Sequence, residues 1–234
     1  MRNFLTRGMV AAAVLTVLGF ASAVQAQLQD VTAPGDPILA VDLDGTVGSS
    51  PAAEQVENAI NNVRQKYLNF GEPEGTDSEL NTGFIVTPTL GATAGGTIVS
   101  GLRLYTANDA EARDPASYTL EGSLAGAAGP RTLISSGALD LPLDRNVTNM
   151  PPDFTGTTPI DPASDFLQEV LFANTTPYTS YRLIFPTVRD SVAANSMQIA
   201  DVELLGVVVP EPSTIALAAA GLLGLAATAR RRRS

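Results

Sequence analysis

Short apolar runs separated by turn residues are the feature that most restricts the fold of this 234-residue chain. Most of its 20 Gly and 16 Pro lie in the central part, where apolar residues rarely recur at helical spacing. Within 97–106, Leu102 and Leu104 fall on one face of an extended chain. Arg103 and Tyr105 fall on the other face, an alternation typical of a half-buried antiparallel strand. We therefore predict an all-β sandwich with eight strands, at 37–43, 83–87, 97–106, 117–121, 132–135, 166–172, 181–185 and 197–205.

The N-terminal 26 residues have the three parts of a secretory signal peptide. Arg2 and Arg7 supply positive charge, an apolar run covers 9–23, and small residues precede a cleavage site after Ala26. The acidic, Pro-rich stretch that follows argues against the alternative, a retained membrane helix. The segment 1–26 therefore predicts export, with a signal peptidase as the processing enzyme.

The C-terminal segment 207–234 is also apolar and basic. Its apolar part, 213–229, would form about 26 Å of helix, roughly the thickness of a bilayer core. The four Arg that end this run are expected to stay on the cytoplasmic side. This arrangement predicts a transmembrane helix with the body of the protein outside the cytoplasm.

The order of residues in this C-terminal segment resembles the PEP-CTERM sorting signal of Gram-negative bacteria. The matching positions are Pro210, Glu211, Pro212, Arg230, Arg231, Arg232 and Arg233, with the apolar run between the two groups. The resemblance implies that an exosortase recognises the motif and removes the anchor, in a species that makes extracellular polysaccharide and biofilm. It also implies an inner-membrane-anchored intermediate and a final place on the cell surface or in the extracellular matrix. The alternative is an ordinary C-terminal membrane anchor.

The body between the two ends, 27–209, is long enough for one domain with a sizeable core. It holds eight Lys and Arg against 23 Asp and Glu, a formal charge of −15. Such a charge repels phosphate backbones, so nucleic acid is excluded as an expected partner. Solubility is one interpretation of the acidic excess, and cation binding is the other.

The chain contains neither His nor Cys. Nucleophilic triads that need an imidazole or a thiolate are therefore ruled out. A carboxylate pair could hydrolyse glycosides, but the acidic residues are scattered and no pair stands out. We expect a non-catalytic protein and retain a glycan-active enzyme as an alternative.

A second resemblance covers most of 54–206. The segments 57–62 and 66–70, followed in order by 101–109, 113–123, 181–183 and 198–206, resemble discoidin-type, galactose-binding-like domains. The resemblance implies an eight-stranded antiparallel jelly roll over 54–206, preceded by an N-terminal segment, 27–53, that contains the first strand. It agrees with the strand count obtained from the residue pattern. One short helix is also expected within 54–64, because Val56, Ile60 and Val63 have helical spacing.

The same resemblance implies a structural Ca²⁺ ion between the opening turn and the last strand. The matching positions are Asn61, in place of the usual turn Asp, and Asp201, in place of the last-strand acid. Ca²⁺ needs six to eight oxygen ligands, which backbone carbonyls of the turn could supplement. The alternative is a turn held by hydrogen bonds alone.

Discoidin-type domains bind ligands through loops at one end, and the polar loop after strand 97–106 is the candidate here. Its residues are Tyr105, Asn108, Asp109, Arg113 and Asp114. We expect Tyr105 to be exposed because it shares a face with Arg103, whereas most other aromatic residues are expected in the core. The alternative is a structural connector braced by an Arg–carboxylate pair.

Three functions follow from these patterns. The leading hypothesis is a surface or matrix protein that associates with extracellular polysaccharide through its jelly roll. The alternatives are a structural biofilm protein without a small ligand and the glycan-active enzyme.

Overall fold

The computed structural model describes residues 27–41, 49–71, 82–91, 95–146, 158–210 and 221. Three short 3-10 helices cover Val56–Ile60, Thr89–Gly91 and Glu111–Arg113. The eleven strands in this part of the chain are β1 Gln29–Asp30, β2 Ile38–Val41, β3 Tyr67–Asn69, β4 Thr82–Val86, β5 Thr97–Tyr105, β6 Ser117–Ser123, β7 Thr132–Ala138, β8 Leu167–Leu171, β9 Ser180–Phe185, β10 Met197–Ile199 and β11 Asp201–Val208.

Two antiparallel sheets face each other across the core. One has the strand order β1-β11-β5-β8 and the other β2-β4-β9-β6-β7, while β3 and β10 form a separate pair. The aliphatic core comes from alternate positions, such as Leu102 and Leu104 on β5 and Val202 and Leu204 on β11, all fully buried. The prediction of an all-β antiparallel sandwich is confirmed.

Every predicted strand is present, but the structure has three more than the eight expected. Two of them, β1 and β3, are too short to show an alternating pattern. The third arises because the predicted strand 197–205 divides at Ala200, where the chain changes its partner from β3 to β5. The expected helix is a 3-10 helix of five residues, Val56–Ile60.

Aromatic side chains fill the space between the sheets. Tyr67 packs edge-on against Phe84 with ring centroids 6.5 Å apart, and its hydroxyl donates to the Gly83 carbonyl at 2.9 Å. Tyr181 contacts the ring of Tyr178 edge-on. The prediction that most aromatic residues belong to the core is confirmed for these side chains and for Tyr118.

The strand directions divide the loops between two ends of the sandwich. We call the end where β11 finishes the near end, because the chain leaves it toward the C-terminal segment. Among the described residues, the near-end segments are 33–37, 87–91, 95–96, 123–131 and 172–179. The far-end segments are 49–66, 70–71, 106–116, 139–146, 158–166 and 186–196.

No helix in the described ranges is long and apolar enough to cross a bilayer. The predicted signal helix at 1–26 lies outside those ranges. The predicted span at 213–229 also lies outside them, with Gly221 as its one described residue.

Candidate functional site

The loop that follows β5 lies at the far end of the sandwich. It contains the 3-10 helix Glu111–Arg113 and leads into β6 at Ser117. Ala110 begins this helix in the left-handed region with φ of 37°, a conformation that costs a non-glycine residue energy unless its surroundings hold it. The contacts of the loop show what holds it.

Asp114 is the main anchor of this loop. Its carboxylate is almost fully buried and accepts two hydrogen bonds of 2.8 Å from the Arg145 guanidinium. The Arg189 guanidinium lies 3.6 Å away. Burial raises the pKa of Asp114, and the two guanidinium groups oppose that shift. The predicted Arg–carboxylate brace is thus present, with Arg145 as the partner rather than an Arg of the loop itself.

Asp109 and the buried Lys66 fasten the other side of the loop. The Lys66 ammonium donates to both Asp109 carboxylate oxygens, at 3.0 and 2.9 Å, and lies 3.2 Å from Glu54. The Gln198 side-chain amide donates to the carbonyls of Asp109 and Ala110. The residue before β3 and strand β10, which pairs with β3, therefore both contact this side of the loop.

Asn108 and Arg113 keep polar atoms that this scaffold does not use. The Asn108 Oδ1 atom is buried without a hydrogen-bond partner in the described part of the chain. Arg113 is half-buried and has no ion-pair partner among the described residues. These two groups, together with the exposed Glu111, are described loop side chains with capacity left for a ligand.

The expectation that Tyr105 is exposed was wrong. Its side chain is fully buried, and the segment 158–166 lies next to this end of β5. Thr106 donates to the Phe166 carbonyl at 3.1 Å, and Arg64 donates to the Thr158 carbonyl at 2.9 Å. Burial raises the pKa of the Tyr105 hydroxyl. Tyr105 is therefore not a surface contact for a ligand.

The opening turn and the last strand meet as the resemblance implied. The backbone N–H of Asn62 donates to Asp201 Oδ2 at 2.8 Å. Asn61 faces its own turn instead: its Oδ1 accepts from the Val63 N–H at 3.0 Å and its amide donates to Gln65 at 2.8 Å. The direct link from turn to strand is thus made by Asn62, which adopts the left-handed region with φ of 60°.

Asp201 is a fully buried carboxyl group with unused capacity. Its Oδ1 has no hydrogen-bond partner among the described residues, and neither has Asn62 Oδ1. Burial raises its pKa well above the usual value, and the nearby acids Asp30 and Glu203 raise it further. Asp201 Oδ1 and Asn62 Oδ1 are thus two buried oxygen atoms whose hydrogen-bonding capacity the described residues leave unused.

The residues with unused side-chain oxygens are not the predicted pair, Asn61 and Asp201. Asn62 rather than Asn61 offers a free side-chain oxygen beside Asp201. The described residues contain no cluster of three or more acidic, His or Cys side chains suited to a metal. An ion here would therefore depend on amide and backbone oxygens around one carboxylate.

Phe166 is an exposed aromatic residue that the sequence did not single out. It is 40% exposed and lies just before β8, next to the start of the 106–116 loop. Asn146 fixes its backbone by accepting from its N–H at 2.8 Å and donating to its carbonyl at 2.7 Å. The pattern assigned Phe166 to a strand, and only its position after the turn at Pro162 hinted at exposure.

The far end thus brings together all of the predicted metal and loop residues, although they form two separate groups. Asn61 and Asp201 lie at the opening turn, and Asn108, Asp109, Arg113 and Asp114 lie in the loop. The predicted motif residues Glu211, Pro212, Arg230, Arg231, Arg232 and Arg233 lie outside the described residues, whereas Pro210 ends the described body.

Comparison with known proteins supports both resemblances. The PEP-CTERM protein-sorting motif matches residues 208–233. No curated protein matches the chain. The match covers the C-terminal segment alone, so it bears on the sorting of the protein and not on the fold or activity of its body.

Solved structures similar to the body are family 32 carbohydrate-binding modules of Clostridium perfringens. Two such domains of ZmpB, in complex with GalNAc, are 14% identical, with a TM-score of 0.50 over 77% of this chain and 36% of that chain. A third module, from a family 31 glycoside hydrolase, is 12% identical with a TM-score of 0.48, over 77% of this chain and 95% of that one. The module of NanJ in complex with galactose is 11% identical with a TM-score of 0.44, over 72% of this chain and 93% of that one.

The ZmpB similarity shows the fold and, at such low identity, nothing more. The chain therefore joins a galactose-binding-like jelly roll to a C-terminal PEP-CTERM sorting motif, which indicates an exported protein sorted to the cell surface.

Proposed function

We propose that this protein is a non-catalytic surface or matrix protein that binds extracellular polysaccharide through the far end of its jelly roll. The observation that carries the proposal is the exposed ring of Phe166 beside the 106–116 loop. An exposed aromatic ring offers a platform for the apolar face of a sugar. The ring lies at the end of the sandwich opposite the point where the chain leaves toward its sorting motif.

Hydrogen-bonding groups near the platform would fix the orientation of the sugar. Arg113 has donors without an ionic partner in the described ranges, and Asn108 has an unused oxygen. The braces from Asp114 and Lys66 keep the loop in place before a ligand arrives. Such preorganisation reduces the entropy lost on binding.

A glycan array probed with the purified full-length chain tests this proposal. The array carries galactose- and GalNAc-terminated glycans and fragments of the host polysaccharide. We expect binding by the native chain and its loss in Phe166→Ala. Val192→Ala is the matched control, because Val192 is a 95% exposed apolar residue of another far-end loop. Equal binding by Phe166→Ala and the native chain would remove Phe166 from the site.

We further propose a structural Ca²⁺ ion at the opening turn, with Asp201 and Asn62 as side-chain ligands. The support is their two buried oxygens without partners. The ion would neutralise Asp201 and cross-link the turn to β11. Calorimetric titration should detect Ca²⁺ binding, and the melting temperature should rise with Ca²⁺ in the native chain and not in Asp201→Asn. Absence of both heat and melting shift in the native chain would end this proposal.

Processing at both ends belongs to the same proposal. A signal peptidase would release the body after Ala26, and an exosortase would act on the motif at Pro210, Glu211 and Pro212 of the membrane-anchored intermediate. The support is the match of the sorting motif. Mass spectrometry of the protein recovered from the host surface should find a body that starts at Gln27 and lacks the Arg tail. A surface protein that retains Met1 and Arg233 would contradict it.

A structural surface protein without a small ligand is the second candidate. It is favoured by the internal use of Asp109 and Asp114, which leaves few loop side chains free. The glycan array separates the two candidates, since the structural protein would bind nothing. Release of reducing sugar from the host polysaccharide would instead identify a glycan-active enzyme.

A further inference from the structure

The two ends of the sandwich differ sharply in charge. The near-end segments, defined above, contain one acidic residue, Asp36, and one basic residue, Arg131. Asp36 is buried and accepts hydrogen bonds from Thr89 and Ala33. The far-end segments contain ten acidic and five basic residues among the described ranges. The described near-end segments are therefore neutral overall, whereas the described far-end segments carry a net charge of −5.

Exposed apolar side chains are distributed in the opposite way. Leu124 and Leu90 lie in near-end loops and are 68% and 50% exposed. Within the described ranges, six of the nine exposed large hydrophobic residues lie in near-end loops or within two residues of the near-end terminus of a strand, and three lie at the far end. The six are Leu28, Leu39, Leu90, Leu124, Leu133 and Leu171, and the three are Leu143, Phe166 and Val192.

The near end is also the end of the sandwich from which the chain continues into its apolar C-terminal segment. Val209 still belongs to the sheet, because its N–H donates to the Gly96 carbonyl at 3.0 Å and its carbonyl accepts from Gly95 at 2.9 Å. The apolar run begins at residue 213. Four residues span at most about 14 Å when fully extended. A bilayer that holds this run must therefore lie close to the near-end loops.

We propose that the near end is a membrane-contact surface, with Leu90 and Leu124 inserted into the interfacial region of the bilayer while the anchor is in place. The proposal rests on the proposed function in one respect, the membrane-embedded anchor at 213–229. Apolar side chains gain free energy at the lipid interface. Acidic groups are repelled by anionic lipids, so the charge asymmetry turns the far end, with its candidate sugar site, away from the membrane.

Depth-dependent quenching of single fluorescent labels tests the proposal directly. The chain has no Cys, so single substitutions place one NBD label each at Leu90→Cys and Leu124→Cys. The matched far-end controls are Leu143→Cys and Val192→Cys, which are also exposed apolar positions. A fifth label, at Ala219→Cys, reports on the anchor. The full chain is reconstituted into phosphatidylcholine vesicles containing lipids with a nitroxide near the headgroup.

We expect the labels at 90 and 124 to shift their emission to shorter wavelength and to lose fluorescence to the nitroxide, while those at 143 and 192 do neither. Quenching at 219 without quenching at 90 and 124 would overturn the membrane-contact surface and leave the anchor intact. Failure of the label at 219 to enter the bilayer would instead overturn the anchor. Emission shifts at 90 and 124 that follow protein concentration in detergent, without lipid, would show a contact between two copies and also overturn the proposal.

Discussion

The far and near ends of this sandwich are stabilised by different interactions. Far-end loops are fastened by charged side chains, as in the pairs of Asp114 with Arg145 and of Lys66 with Asp109. Near-end loops depend on backbone hydrogen bonds, such as those between Thr97 and Tyr178 at 2.9 and 2.8 Å, and on glycines with positive φ at Gly35, Gly96 and Gly126.

This difference in stabilising interactions is related to the charge of each end. Backbone bonds and glycine hold a turn without adding charge, so the near end stays neutral and small. Charged braces suit an acidic surface because the buried carboxylate of Asp114 and the buried ammonium of Lys66 each meet an opposite charge. The neutral near-end surface thus favours contact with a bilayer, whereas the acidic far-end surface disfavours it.

The largest expected effect is the loss of the far-end brace. Asp114→Asn leaves Arg145 in a partly buried position without its anion, so the free energy of unfolding should fall by about 3 kcal/mol. Urea unfolding of the full-length variant measures this change. Asp140→Asn is the control, because that carboxylate is 97% exposed and 4.0 Å from Arg189, and it should cost less than about 0.5 kcal/mol. Equal effects of the two variants would refute the brace.

A smaller effect is expected at Asp30, an acid on β1 without an ion-pair partner in the described ranges. Burial, and then the nearby Glu203, raises its pKa to about 6, while hydrogen bonds from Thr32 oppose the shift. The folded state therefore binds a proton more tightly than the unfolded state, so the contribution of Asp30 to stability declines as pH rises from about 4 to 6.

Asp30→Asn replaces the titrating carboxyl group with a neutral amide, so the decline of stability with rising pH should disappear. Unfolding in EDTA should show a gain of about 2 kcal/mol at pH 7 and almost none at pH 4. A gain of the same size at both values would mean that the asparagine acts through packing and not through charge.

Removing a surface ion pair should change the free energy of unfolding by less than either substitution of a buried carboxyl group. Glu169→Gln removes one of the two carboxylates that flank Arg103 across β5, and its side chain is partly exposed. The expected loss is about 0.5 kcal/mol, reduced further by salt. Thermal melts at low and high ionic strength measure it, and a loss that does not depend on salt would contradict an electrostatic role.

The smallest effect on stability is expected at the near end. Leu90→Ser combined with Leu124→Ser should change the free energy of unfolding in lipid-free solution by less than about 0.5 kcal/mol, since both side chains are exposed. The same variant should bind vesicles less well than the native chain. A large loss of stability without lipid would show that these leucines serve the core.

The sequence predicted the strands well because alternation and turn residues report directly on local burial. It failed at Tyr105, because the exposure of a strand face depends on the segments packed around it, which alternation along the strand does not report. It also failed to find Phe166, since exposure there depends on the turn that precedes β8. The opening turn does contact β11, but the contact is made by Asn62 rather than Asn61, and it depends on a backbone conformation with positive φ that a pattern does not reveal.

Affinity electrophoresis of the full-length chain in detergent, through gels with and without the host polysaccharide, tests the central claim most directly. The account predicts that polysaccharide slows the native chain and the variant with Leu90→Ser and Leu124→Ser equally, and leaves Phe166→Ala unaffected. Equal mobility of the native chain with and without polysaccharide, or retardation that depends on the near-end leucines rather than on Phe166, would contradict it.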